Sequence, residues 1–299
     1  MRVRKLALSL LIVWLATPGM PGLPQPADGE PSKPLITGLD HIPLAVQDLA
    51  RAAERFRSLG FVWKEGRAHS NGILNQHAKF PDGTEIELIT APDARDALTS
   101  EYRAFLAHGD GPAYIGFFAT DQDQVVAALE KGKRSFERDG GLLGFPVGDG
   151  LHHVFFARRN ASPTDRPEHF LHPNTAESLI GVWLAADDLS PERGLLRRLG
   201  IPIEKRVACT PECAMAEVAR LGEGEVVLLP GKRQVVPGRR IAGATVRVRS
   251  LAAAQAVLER GGWKTRVLRW EKGQSVFLGP EVGCGLWLEL RQDGDQRRN

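Results

Sequence analysis

Apolar and polar positions alternate in two stretches near the start of the chain's apolar-rich body. In Gly38-Leu39-Asp40-His41-Ile42-Pro43-Leu44-Ala45-Val46, residues Ile42, Leu44 and Val46 fall on one side of an extended strand. His41, Pro43 and Ala45 fall on the other, because successive strand side chains point to opposite faces. In Gly83-Thr84-Glu85-Ile86-Glu87-Leu88-Ile89 the same alternation gives Ile86 and Leu88 to a packed face. It leaves Glu85 and Glu87 on the face that carries His41. Between these strands, Leu49, Ala53, Phe56 and Leu59 recur at helical spacing, and Gly60 is the stop. Phe61-Val62-Trp63 and Asn75-Gln76-His77-Ala78-Lys79-Phe80 follow as strands, the second with residues 75, 77 and 79 on one face.

The pattern recurs along the chain. Val182 to Leu189 matches Ile42 to Leu49, Leu199-Gly200-Ile201 matches Leu59-Gly60-Phe61, and Gly222 to Pro230 matches Asp82 to Thr90. A fainter copy has its strand at Ala244 to Val248, its helix at Leu251 to Gly262 and its last strand at Leu286 to Leu290. The segment Ala113 to Ala157 supplies a fourth, with strand Tyr114 to Ala119, helix Gln122 to Gly132 and last strand His152 to Ala157. Each unit reads strand, helix, then two or three strands. One unit alone leaves a sheet face uncovered, and pairing two closes a curved sheet around a cavity. The expected fold is therefore α+β, with four βαβββ units paired into two curved-sheet domains. The first domain is expected at 35–160 and the second, more degenerate, at 177–292, joined by a connector at 161–176 and followed by a polar tail at 293–299.

Residues 1–34 stand outside this pattern. Arg2, Arg4 and Lys5 precede the apolar run Leu6 to Ala16 and a Pro/Gly-rich stretch, the layout of a bacterial-type export signal. The run is short of the roughly 20 residues of a membrane span. The expectation is an exported protein, periplasmic or secreted, with an inner-membrane anchor through the N-terminus as the alternative. The 299 residues carry a net charge of +3 and no concentrated basic stripe, which argues against nucleic acid as a partner. A homodimer stays open. Of the three cysteines, Cys209 and Cys213 are the best pair for a bridge, with Cys284 left over and buried. No Gly-rich phosphate loop or Ser/His/Asp spacing is present.

Residues 36 to about 176 resemble the glyoxalase-like domain group of the vicinal oxygen chelate superfamily. The resemblance rests on Leu39-Asp40-His41-Ile42, on His69 followed by Asn75, and on Gly83-Thr84-Glu85-Ile86-Glu87-Leu88-Ile89. Val154-Phe155-Phe156 and His172-Pro173-Asn174-Thr175-Ala176 add to it. The resemblance implies a divalent metal (Zn, Ni, Mn or Fe) held by residues of the first and last strands of paired units. It also implies a small molecule with adjacent oxygens as the partner. Position by position, the ligands fall on His41 and Glu87 in the first unit, and Tyr114 stands at the histidine position of the second. Tyr114, His153 and His77 are the candidates for a third ligand, with His153 assigned to it, Tyr114 and His77 to acid/base roles, and His69 and Asn75 to the cavity lining. In the third and fourth units the positions hold Gly181 and Val227, then Gly243 and Glu289, so no metal is expected in the second domain.

His152 and His153 are adjacent in a strand and must face opposite ways, His108 and His169 are expected to be solvated in loops, and His172 to be structural. The functional expectation is an exported glyoxalase-like protein that acts on a small oxygen-rich molecule by metal-assisted proton transfer or lyase chemistry. The alternative is a non-catalytic protein that sequesters a small molecule in a metal-free cavity. A ring-cleaving dioxygenase is disfavoured, because its iron ligands would fall on Gly181, Gly243 and Glu289.

Overall fold

The computed structural model of the chain describes residues 33–139, 141–159, 161–270 and 273–294. The expected export signal lies outside the described residues, apart from Lys33 and Pro34. In the first half, β1 (Gly38–Leu39) and β2 (His41–Ala45) are followed by α1 (Leu49–Ser58), β3 (Lys64–Glu65), β4 (Leu74–Lys79) and β5 (Glu85–Thr90). Then come α2 (Ala97–Leu106), β6 (Gly111–Pro112), β7 (Ile115–Phe118), α3 (Gln122–Lys131), β8 (Glu137–Asp139), β9 (Leu142–Gly144) and β10 (Val154–Ala157). The second half holds β11 (Ala176–Ala186), α4 (Ser190–Arg198), β12 (Ile203–Cys209), β13 (Cys213–Arg220) and β14 (Glu225–Pro230). It ends with β15 (Ile241–Val248), α5 (Leu251–Arg260), β16 (Val267–Trp270), β17 (Gly273–Leu278) and β18 (Trp287–Asp293).

The fold is α+β, as its periodicities imply. The strands form two five-stranded sheets, in the orders β1-β7-β10-β9-β8 and β3-β4-β5-β2-β6, and one of eight, β12-β13-β14-β11-β15-β18-β17-β16. Four parallel pairs carry the design: β2 with β5, β7 with β10, β11 with β14 and β15 with β18. A helix follows the first strand of each pair. Asp40 is the link between the two smaller sheets. Its N–H donates to Gly116 O in one sheet (2.8 Å), and its carbonyl accepts from Glu85 N in the other (3.1 Å).

Ile42, Leu44, Ile86 and Leu88 pack with Ala52, Ala53 and Phe56 of α1, as the alternation predicts. The helix starts where Asp48 accepts from Arg51 N and stops at Leu59, with Gly60 at φ +86°. That left-handed conformation suits glycine, which has no Cβ to clash there. The core does not break at the connector. One apolar cluster runs from Ile36 through Leu290, and Leu35 N donates to Leu199 O across the halves. The Cys209–Cys213 bridge forms at the tip of the β12–β13 hairpin, and Cys284 is a buried free thiol.

One element falls outside the repeat. α2 lies between the first two units and covers the far end of the open face of the second sheet, β3-β4-β5-β2-β6. There Tyr102 and Leu106 pack with Ala45, Ile73 and Ile89.

Candidate functional site

The register of the second sheet makes a grid of polar side chains. His41 stands opposite Glu85 and Glu85 opposite Lys79, while Glu87 stands between Pro43 and His77. Directly opposed residues share a face, so Asn75, His77, Lys79, Glu85, Glu87 and His41 all lie on the face turned away from α1. Lys64, opposite His77 on β3, extends the grid.

A cleft of about 910 Å³ opens over part of this grid. Its floor is Asn75, His77, Lys79 and Glu85, one wall is Trp63 to Arg67 with His69, and the other is the segment from Ser162 to His169. His77 Nδ1 lies 2.8 Å from Glu85 Oε2, an ion-pair contact rather than an aligned hydrogen bond. Burial alone would push the Glu85 carboxyl up. The nearby His77, Lys79 and His41 outweigh this and hold it below the usual range. Lys64 and Lys79 each reach one oxygen of Asp165, at 2.5 and 2.6 Å. Burial opposes the charge of Asp165, but these two lysines bring its carboxyl down to about 2. Trp63 Nε1, His69 Nε2 and Asn75 Oδ1 are buried with no hydrogen-bond partner among the described residues. Such atoms are few in native proteins and cost free energy unless something answers them.

His41 and Glu87 stand beside the cleft rather than in its lining. His41 Nε2 is 3.6 Å from Glu87 Oε2, its Nδ1 hydrogen-bonds Asp40, and Asn75 Nδ2 donates to Glu87 Oε1 at 2.6 Å. Burial disfavours charge on the imidazole. The Asp40 hydrogen bond and the charges of Asp40, Glu87 and Glu85 overcome it and raise His41 to about 9. The paired unit turns Phe155 toward this pair, its ring 4.9 Å from the His41 ring. Gly116 lies beneath Phe155, and a Cβ there would sit 2.6 Å from that ring. The facing position is thus apolar. Among the described residues no group of three His, Cys, Asp or Glu side chains is placed to hold a metal ion. Two donors, His41 and Glu87, facing a phenyl ring do not fit the three-ligand centre that a catalytic divalent metal needs.

His153 and Tyr114 are not brought to His41. His153 Nε2 lies 3.4 Å from Glu192, which also binds Arg240 at 2.8 Å. Burial first, then the charges of Arg240 and His152, lower His153 to about 3, so it is neutral. Tyr114 lines a separate pocket of about 160 Å³ with Glu101, Tyr102, Phe105 and His152. Burial and the hydrogen-bonded Glu101 push the phenol of Tyr114 well up, so it acts only as a donor. His152 and His153 lie in the turn before β10 rather than in a strand, so strand alternation does not apply: both line this pocket, with His152 Nε2 2.5 Å from Glu101. His172 accepts from Val62 N and contacts Lys79 O, a structural role. His169 departs from the expectation of a solvated loop: it lines the cleft and accepts from Arg166 N at 3.1 Å.

The cleft thus gathers three of the expected residues, His69, Asn75 and His77. Glu85, Lys79 and Lys64 were passed over. The alternation that put residues 75, 77 and 79 on one face, and Glu85 with His41, already carried the signal for the first two. Asp165 has no local signal.

In the second half the equivalent positions hold different chemistry. Gly181 stands opposite Glu225, and Trp183 opposite Val227 and Gly243. The Trp183 ring fills the open face, 2.2 Å from where a Gly243 Cβ would stand, within an apolar cluster that includes Val218, Val227 and Leu229. Glu289 is fully buried and bound by Thr245 and Ser275 hydroxyls and by Arg291.

A curved polar face beside a cleft, on sheets built from parallel strand pairs, defines a protein of the vicinal oxygen chelate class. The chain belongs to the glyoxalase-like domain family, whose model matches residues 39–210. No curated protein matches it. Among solved structures, it is similar to a mutant of 4-hydroxymandelate synthase from Streptomyces coelicolor, at TM-score 0.65 and 13% identity, over 88% of this chain and 94% of that one. It is similar to a catechol 2,3-dioxygenase at TM-score 0.59 and 14% identity, over 86% and 88%. A xylose isomerase-like TIM barrel/4-hydroxyphenylpyruvate dioxygenase fusion protein matches at TM-score 0.64 and 13% identity, over 90% of this chain. The chain spans about half the length of that fusion, 50% of it. At these identities the likeness is one of fold.

Proposed function

We propose that the protein binds a small oxygen-rich molecule in the cleft of its first half and moves a proton on it. In this reading His77 is the acid/base group and Glu85 its partner. The observation that carries it is the cleft floor: a histidine–carboxylate pair beside buried, unanswered polar atoms of Trp63, His69 and Asn75. With a carboxylate at Nδ1, the imidazole presents Nε2 for proton transfer, and such contacts often align only when ligand is bound. Export is part of the proposal. It is supported by the basic and apolar N-terminal layout and by the Cys209–Cys213 bridge, which suits an oxidising compartment.

A second reading, sequestration without turnover, is favoured by the apolar Phe155 that faces His41 where a further ligand would stand. The two separate in one experiment. A panel of 2-oxo acids, dicarbonyls and catechols is screened for quenching of Trp63 fluorescence. Binders are then incubated in D₂O and followed by NMR for exchange of the proton next to the carbonyl. The expected outcome is exchange that slows by about 100-fold or more in His77→Gln, with binding retained. Binding with no exchange would give the sequestration reading, and no binding would sink both.

A further inference from the structure

Lys64 and Lys79 are diagonal neighbours on one sheet face, since Lys64 stands opposite His77 and Lys79 follows two residues on. Their ammonium groups nevertheless converge, one on each oxygen of the Asp165 carboxylate. Two cations converge in this way only about an anion. Both side chains are largely withdrawn from water, at 3% exposure for Lys79 and 11% for Lys64, so each charge requires a partner. Glu85, 3.1 Å from Lys79, answers part of this, but it is shared with His77.

The segment that delivers Asp165 is a strap with little other attachment. Ser162 pairs with Thr164 and Asp165, Arg166 with His169 and Glu168, and Leu171 N donates to Glu168 O. Among the described residues, every hydrogen bond and ion pair of residues 161–169 stays within the strap and Leu171, except the two from Asp165 to the lysines. Among the described residues, Asp165 is thus what ties this wall of the cleft to its floor.

We propose that the Lys64 and Lys79 ammonium groups are the carboxylate subsite of the cleft, that Asp165 fills this subsite in the unliganded chain, and that a small carboxylate ligand takes its place and frees the strap. This deepens the reading of the cleft as a small-molecule site and rests on it for the ligand's size; it commits that ligand to a carboxylate.

The test uses the full chain and Asp165→Ala, with melting followed against acetate, against acetamide as its neutral counterpart, and against chloride at equal ionic strength. Asp165→Ala should melt below the parent protein. Acetate should restore its melting temperature with a half-effect at least tenfold lower in concentration than any effect on the parent, while acetamide and chloride do not. Adding Lys64→Met should abolish the acetate response. If Asp165→Ala does not fold, the isosteric Asp165→Asn carries the test: it should bind pyruvate at least tenfold more tightly than the parent by Trp63 fluorescence and pyruvamide no more tightly. An acetate response equal in parent and variant, or absent from both, would overturn the proposal, as would unchanged pyruvate affinity in Asp165→Asn. Acetate rescue involves no turnover, so the subsite can fail while His77-dependent exchange stands, and the reverse.

Discussion

His41 and His153 carry the same side chain and reach opposite charge states. Around His41 three carboxylates outweigh burial and raise its pKa from 6.5 to about 9. Around His153 burial acts with neighbouring cations, and its pKa falls to about 3. Because the folded state binds the His41 proton more tightly than the unfolded chain does, its contribution to stability is fully present below pH 6.5. It is lost as pH rises through 9. The NMR signals of the His41 ring should therefore titrate near pH 9. Denaturant stability should fall between pH 6.5 and 9 in the parent, and His41→Gln should flatten that fall. A ring that titrates near 6.5 would show that the carboxylates do not control it. The sequence named both histidines and could assign neither charge: Asp40 and His152 are adjacent in sequence, but the burial of each ring and the charges of Glu87, Glu85 and Arg240 come from elements distant along the chain.

At the scale of elements, strands and repeat helices follow from local pattern, and α2 shows what that pattern omits. It belongs to no repeat, yet it closes the open face over Ala45 and Ile89 and builds the Tyr114 pocket. Its start is set by Asp96, which accepts from Thr99 N, while Thr99 Oγ1 accepts from the backbone N–H groups of Arg95 and Asp96 at 2.8 Å each. This is a capping box with threonine at its third position in place of the commoner Glu or Gln. Thr99 is fully buried, so Thr99→Val keeps the shape and strands those two donors. The expected cost is about 1–3 kcal/mol in denaturant unfolding. Faster amide exchange should be confined to α2. A change below a few tenths of a kcal/mol would mean that water reaches the freed N–H groups.

Across the whole molecule, the two halves place different contents on comparable sheets. The first half leaves its face polar and partly open, whereas the second fills it with Trp183, Val218, Val227 and Leu229. Trp183→Ala should therefore destabilise the fold by about 3–5 kcal/mol, the usual cost of removing a large buried aromatic. Ligand binding in the first-half cleft should stay within about twofold, since additivity holds between distant sites. A large loss of binding in a still-folded variant would show that the halves are coupled through their shared core. The sequence by itself determined the α+β class, the faces of β2, β4 and β5 and the family, because all follow from short-range alternation, spacing and motif; it offered Cys209 and Cys213 as the best pair, and the structure joins them. It also marked His69, Asn75 and His77. Only the tertiary structure decided that the cleft centres on His77, Glu85 and Lys79 while His41 and Glu87 pair beside it, that Phe155 faces His41, and that Asp165 bridges two lysines. Those outcomes depend on which distant strands and straps meet, and strand periodicity fixes a side chain's face but not its partner.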